Sequence, residues 1–129
     1  MNALPDIRVP GGPKAAAQMR SRLDTRLAGE LSDERLADVR LLATEVVTNS
    51  VRHGGVGSDG WVSSAVTMDA NRVRVEMRDS GLARGVPRQR TPDYDEGGGF
   101  GLFLLDQMAA RWGVERESGV CVWFELALP

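Results

Sequence analysis

Apolar side chains recur at a helical period in three segments of this chain. The first segment runs from Lys14 to about Ala28, where every third or fourth residue is apolar, and an amphipathic helix is predicted there. Its apolar positions are Ala16, Met19, Leu23 and Leu27. The last segment, from about Phe100 to Ala110, has the same period and predicts another helix.

The middle helical segment begins at a clear start signal. Ser32 is a residue type that caps helix N-termini well, and Asp33 and Glu34 follow it in the first turn, where the helix dipole stabilises negative charge. The stripe that would face the core consists of Leu36, Val39, Ala43, Val46 and the small Ser50. We expect this helix to end before Gly54 and Gly55, because glycine disfavours a helical backbone.

Five shorter segments have the alternation or composition of β-strands. They are Ile7–Val9, Trp61–Met68, Val73–Met77, Val114–Glu117 and Val120–Leu126. Residues 80–98 hold no period and predict a long loop, which in a small domain is usually functional or mobile. The order of these elements predicts an α+β fold: a two-layer sandwich in which a mixed, mostly antiparallel sheet carries three helices on one face.

Composition narrows the class of protein. The chain has 129 residues, which we interpret as one domain spanning residues 1–129. Its net charge of −2 gives no basic field for direct nucleic-acid binding, and no apolar run approaches the roughly 20 residues that span a bilayer. The N-terminus shows no signal peptide, and the single cysteine, Cys121, fits a reducing compartment. A cytoplasmic location is therefore expected.

A polar pair on the middle helix is the first candidate for chemistry. Glu45 and Asn49 are four residues apart, which places them one turn apart on the same helix face. An amide oxygen can hold a hard cation such as magnesium, and a carboxylate can accept a proton. A solvated helix face would show the same pair, so the pair alone leaves both interpretations open.

Two further motifs flank the long loop. Asp79-Ser80-Gly81 follows a strand, and its carboxylate could accept a hydrogen bond from an amino group, although the same three residues also build ordinary turns. Residues 97–99 are three glycines that lead directly into the last helix. Backbone N–H groups at a helix N-terminus attract anions, and glycine lets a phosphate come close; a flexible linker is the alternative.

In this order, the three motifs resemble those of the gyrase, chaperone, histidine-kinase and MutL ATPases, the GHKL superfamily. Glu45-x3-Asn49 with Arg52-His53 resembles the N box, Asp79-Ser80-Gly81 the first glycine box, and Gly99-Phe100-Gly101-Leu102 the second. Within the superfamily, nearly the whole chain resembles the small anti-sigma-factor serine kinases of the RsbW type. The implied fold is the Bergerat-type ATP-binding fold.

The resemblance also implies roles for individual residues. Asn49 would coordinate the magnesium ion that bridges the ATP phosphates, and Glu45 would act as the general base toward an attacking serine hydroxyl. Asp79 would bind the adenine amino group, with Gly81 beside the ring. The phosphate end of the site would be shaped by Gly99, Gly101 and Leu102, with Arg52 and Arg84 as candidate phosphate contacts. Residues 82–98 would form a lid.

The function implied by the resemblance is that of an ATP-binding anti-sigma factor and protein serine kinase. Such a protein phosphorylates a serine of an anti-sigma-factor antagonist and regulates a sigma factor, and a homodimer is expected. One departure motivates an alternative: Ala83 stands where the first glycine box usually has its second glycine. The alternative is an ATP-binding regulatory module with weak or no catalysis, which acts by binding a protein partner.

Overall fold

The strands and helices follow the predicted order, with one strand added at the start. The computed structural model describes residues 2–3, 5–52, 55–80, 100–116 and 119–129. Its strands are β1 (Asn2–Ala3), β2 (Ile7–Pro10), β3 (Trp61–Met68), β4 (Arg72–Asp79), β5 (Arg111–Arg116) and β6 (Val120–Ala127). Its helices are α1 (Ala15–Leu27), α2 (Asp33–Arg52) and α3 (Phe100–Met108).

The strands of the described residues form one six-stranded sheet, and each of their pairings is antiparallel. The order is β1-β3-β4-β6-β5, and β2 lies beside β3 on the same edge as β1. The α+β prediction, with helices on one face of a mostly antiparallel sheet, is confirmed. The two-residue β1 was missed, because so short a segment carries no alternation that could predict it.

Alternation along the central strands divides the sheet into a core face and a second face. In β4, Val73, Val75, Met77 and Asp79 are buried, while the residues between them are partly or fully exposed. β3 follows the same rule from Val62 to Met68. The helices pack on the buried face, where α2 contacts β4, β6, α1 and α3. α2 therefore lies on the core side of the sheet, between α1 and α3.

The helix start signal of α2 is confirmed. The Arg35 amide donates a hydrogen bond to Ser32 Oγ at 3.2 Å, as expected for an N-cap. Arg35 also donates from Nε to the carbonyl of Ala127 at 2.7 Å, which ties the first turn of α2 to the end of β6. The predicted stripe is buried at Val39, Ala43, Val46 and Ser50, and partly buried at Leu36.

The hairpin between β3 and β4 closes through an aspartate turn. Asp69 Oδ1 accepts hydrogen bonds from the backbone N–H groups of Asn71 (2.8 Å) and Arg72 (3.0 Å). These bonds, that of Asn71 above all, lower the pKa of the Asp69 carboxyl. The turn fixes the register that pairs Val62 with Asp79. It thereby decides which residues of β4 face the core.

The junction between α3 and β5 differs from the sequence prediction. The helix ends at Met108 rather than Ala110, and β5 begins at Arg111 rather than Val114. The Ala110 amide donates to the Glu125 carbonyl at 2.8 Å, so the backbone has already joined the sheet there. Pairing with β6 therefore overrides the helical pattern of the last residues.

Most of the predicted loop, from residue 81 to residue 98, lies outside the described residues. The predicted helix stop before Gly54 also lies outside them. Within the ranges that the structure describes, no helix combines the length and apolar character needed to cross a membrane.

Candidate functional site

α2 presents Glu45 and Asn49 on one side of the helix. Asn49 is buried, with 6% of its surface exposed, and Glu45 is half-buried. Side chains at this spacing have Cβ atoms about 5–6 Å apart on an ideal helix. The solvated-face interpretation therefore does not hold for Asn49. A carboxylate near the surface and a buried carboxamide lie one turn apart.

The Asn49 amide is a buried polar group that requires a partner. No hydrogen-bond acceptor among the described residues reaches its Nδ2 atom. A buried donor left in this state costs about 1–3 kcal/mol, so native proteins usually keep one only where a ligand or water satisfies it. Since a half-turn of the amide would bring Oδ1 to the same place, the group suits either a phosphate oxygen or a cation. This side chain therefore fits a magnesium–nucleotide ligand.

Asp79 occupies the last position of β4 on the core face. The register of the strand places this carboxylate in line with Val73, Val75 and Met77, and only 5% of its surface is exposed. Its Oδ1 atom accepts a hydrogen bond of 3.2 Å from the Val120 amide of β6. This bond orients the carboxylate at the end of the sheet. Asp79 can accept hydrogen bonds from an amino group placed beside it.

A reciprocal pair of hydrogen bonds fixes the backbone next to Asp79. The Ser80 amide donates to the Trp61 carbonyl at 3.0 Å, and the Trp61 amide donates to Ser80 Oγ at 3.0 Å. Gly60 leaves room for this arrangement, because a Cβ atom there would lie 2.6 Å from Ser80 Oγ. The sequence analysis missed this role of Ser80, which only the pairing of β3 with β4 reveals.

The chain that follows α2 is held by the glycines after β2. Gly12 donates to the Val56 carbonyl at 3.1 Å, and Gly11 donates to the Gly60 carbonyl at 3.0 Å. Gly12 has a φ of +92°, a conformation that residues with a Cβ rarely adopt, and a Cβ on Gly11 would collide with the Gly57 carbonyl. These two glycines therefore hold Val56 and Gly60 beside the end of β2.

Two cavities adjoin the candidate residues. One, of about 190 Å³, lies at the end of the sheet. It is lined by Trp61, Arg78, Asp79, Ser80, Glu115, Gly119, Val120 and Cys121. The other, of about 340 Å³, lies between the start of α1 and the last turns of α2, and Thr48 and Arg52 line it. Neither of these two cavities is lined by Glu45 or Asn49.

Only some of the remaining predicted site residues lie within the described part of the chain. Gly81, Gly99 and Arg84 lie outside the described residues. Gly101 and Leu102 lie in the first turn of α3, as expected for a glycine motif at a helix start. Arg52 is the last described residue of α2 and is exposed. The structure thus buries Asn49 on a helix that packs on the sheet ending in Asp79, and the phosphate end of the site stays a prediction.

A helical layer with a Glu–Asn pair, packed on an antiparallel sheet that ends in a buried aspartate, is the arrangement expected of an ATPase domain of the GHKL type. The family model described as the histidine kinase-like ATPase domain matches residues 9–126. The chain therefore belongs to this family.

Two curated relatives are named as a serine-protein kinase and as an anti-sigma factor. The chain is 28% identical over 102 residues to the serine-protein kinase RsbW of Listeria monocytogenes serovar 1/2a, covering 70% of this chain and 65% of that protein. It is 26% identical over 109 residues to the anti-sigma F factor of Clostridium acetobutylicum, covering 80% of this chain and 72% of that protein. The match thus spans somewhat less than two thirds of the Listeria kinase.

Solved structures show the same fold. The blue-light activated histidine kinase EL346 of Erythrobacter litoralis matches with a TM-score of 0.59 at 22% identity, over 93% of this chain and 42% of that one. The histidine kinase domain of the same protein matches with a TM-score of 0.56, over 88% of this chain and 59% of that one. At this identity the likeness concerns the fold alone.

Proposed function

We propose that the chain is an ATP-dependent protein serine kinase of the anti-sigma type, which phosphorylates an anti-sigma-factor antagonist and regulates a sigma factor. The observation that carries the proposal is the buried Asn49 amide, whose Nδ2 has no hydrogen-bond partner among the described residues, one helical turn from Glu45. Membership of the histidine kinase-like ATPase family and the names of the curated relatives support it.

Asp79 and Asn49 would bind different parts of the magnesium–ATP complex. Asp79, oriented by the Val120 amide, would accept a hydrogen bond from the adenine amino group and fix the base. Asn49 would hold the magnesium ion that accompanies ATP. Bound magnesium would neutralise charge on the phosphates during transfer.

Glu45 would take part in the chemical step. The serine oxygen of the antagonist forms a bond to the γ-phosphorus of ATP, the bond from that phosphorus to the β–γ bridging oxygen breaks, and ADP leaves. The proton of the serine hydroxyl passes to the Glu45 carboxylate. A positioned general base contributes about 10²–10⁴-fold to such a rate, and the half-buried position of Glu45 leaves it accessible to a protein substrate.

A first experiment tests nucleotide binding alone. Thermal unfolding of the full chain is followed with and without millimolar MgATP, for the wild type and for Asn49→Ala and Asp79→Ala. Nucleotide at about 100 times its Kd stabilises a folded protein by roughly 2.7 kcal/mol, which is several degrees in Tm for a domain of this size. We expect this shift in the wild type and its loss in both variants. An unchanged wild-type Tm would contradict every ATP-dependent function.

A second experiment separates the kinase from a binding module. Ala83, which departs from the glycine-box pattern, favours the alternative of an ATP-binding partner protein without phosphoryl transfer. Each antagonist-type protein encoded in the same genome is incubated with the chain and γ-labelled ATP. Label on a serine supports the kinase. Partner binding without any label supports the module.

A further inference from the structure

The sheet face opposite the helices carries an ordered group of charged and aromatic side chains, which we name the open face. Strand alternation and cross-strand pairing place five arginines on it, and these are Arg8, Arg72, Arg74, Arg78 and Arg111. The same rules place three glutamates there, Glu76, Glu115 and Glu125. Among the described strand residues, the open face therefore has an excess of positive charge, although the whole chain has a net charge of −2.

Glu125 organises the arginines at one end of the open face. Its side chain is only 6% exposed, yet it lies 3.0 Å from Arg74 Nη1, 3.3 Å from Arg72 Nη1 and 3.7 Å from Arg111 Nη1. Burial lowers the pKa of the Arg74 guanidinium, but its hydrogen bonds to Glu76 and Glu125 outweigh this effect and raise it overall. Two more carboxylates lie beside these arginines, Glu76 at 3.0 Å from Arg74 Nε and Asp69 at 3.9 Å from Arg72 Nε. Ion pairs thus hold this cluster in place, and the positive charge in excess on the open face comes from Arg8 and Arg78 outside it.

Two tryptophan rings provide flat apolar surface between the charges. The Arg74 guanidinium lies 4.2 Å from the centre of the Trp123 ring, and that of Arg8 lies 3.9 Å from the centre of the Trp61 ring. Trp123 lies across Gly113, where a Cβ atom would be 2.6 Å from the indole nitrogen. Tryptophan and arginine are the residues most enriched in binding hot spots. Stacked arginines have also lost side-chain freedom before any partner arrives.

We propose that the open face is a docking surface for an acidic segment of a partner protein. Charge complementarity selects this occupant, because the excess of arginine attracts aspartate and glutamate and repels the same face of a second copy. This surface is separate from the Glu45–Asn49 pair, which lies on the helical side of the sheet. Docking there does not depend on nucleotide.

The test uses the isotope-labelled full chain and a defined acidic probe, the random 4:1 copolymer of glutamate and tyrosine. Binding is followed by NMR at low and moderate salt for the wild type and for the double variant Arg78→Gln/Arg111→Gln. Both of these side chains are more than half exposed, at 56% and 65%, so the fold should survive. The matched control is Arg22→Gln/Arg40→Gln, which removes the same charge from the helical side.

We expect the wild type to bind the copolymer, with an affinity that falls as salt increases and with chemical-shift changes concentrated in β4 and β6. The double variant should bind at least fivefold more weakly, whereas the affinity of the control variant should change less than twofold. Equal weakening in both variants would show unspecific attraction and overturn the proposal. Absence of binding at low salt, or shifts confined to α1 and α2, would also overturn it. Light scattering gives one more test. If the wild type is a dimer and the double variant is a monomer, a second copy of the chain occupies the open face and the proposal is overturned.

Discussion

The Val120 amide donates a 3.2 Å hydrogen bond to Oδ1 of Asp79, and this bond links the last residue of β4 to the first residue of β6. The two residues are 41 positions apart in the chain, and the antiparallel register of β4 and β6 brings them side by side. A buried carboxylate at the end of a sheet is thereby held in one orientation. The first prediction follows from this contact.

Asp79→Asn should weaken MgATP binding at least tenfold while leaving the fold intact. The asparagine oxygen can still accept the Val120 N–H bond, but the charge that strengthens a hydrogen bond to the adenine amino group is lost. Isothermal titration calorimetry gives the affinity, and circular dichroism gives Tm. The exposed Asp6→Asn serves as control. An unchanged affinity in Asp79→Asn would remove Asp79 from the nucleotide site.

Glu45→Gln should slow phosphoryl transfer strongly and retain nucleotide binding. Glutamine preserves the shape and helix propensity of glutamate but cannot take a proton from serine, so the rate should fall about 10²–10⁴-fold. Initial rates with a phosphorylatable antagonist, together with the Kd for MgATP, separate the two effects. Glu34→Gln, in the first turn of the same helix, is the control. Transfer at the wild-type rate would refute the base assignment.

Gly60→Ala should destabilise the fold by about 1–2 kcal/mol, because the new methyl group would lie 2.6 Å from Ser80 Oγ and disturb its bond to the Trp61 amide. The cost should be smaller in a Ser80→Ala background, where the hydroxyl is absent. A double-mutant cycle by urea denaturation measures this coupling. Strictly additive effects would mean that the two residues do not interact in the way the geometry indicates.

Cys121 should make stability fall as pH rises above about 9. Burial chiefly raises the pKa of its thiol above 9.0; the charges of Glu76 and Glu115 add to this, and those of Arg78 and Arg74 oppose it. The unfolded thiol ionises near pH 9, whereas the folded thiol keeps its proton. The stabilisation is therefore complete below pH 9 and is lost as pH rises through the folded pKa.

Urea denaturation at pH 8 and pH 10 checks this expectation. The loss of unfolding free energy between the two pH values should be smaller in Cys121→Ser than in the wild type. The comparison between variants removes the contribution of other groups that titrate in this range. Equal losses in the two proteins would contradict a buried, neutral thiol.

The sequence predicts helix starts and turns well where they depend only on residues that are close in the chain. Ser32 and the acidic residues after it predicted the start of α2, because capping acts within a single turn. The aspartate turn at residues 69–72 is local in the same way, because Asp69 accepts bonds from N–H groups two and three residues later. The end of α3 was less well predicted, because the Ala110 amide bonds to Glu125 of a strand that comes later in the chain.

The sequence by itself determined the order of the elements, the α+β class and the two residues of the Glu45–Asn49 pair, since helical and strand periods are local properties. The tertiary structure decided which polar groups are buried. It buries Asn49 without a described partner, joins Asp79 to Val120, and collects three arginines around Glu125. The physical reason is that burial and cross-strand register depend on packing between segments far apart in the chain, which no local pattern encodes.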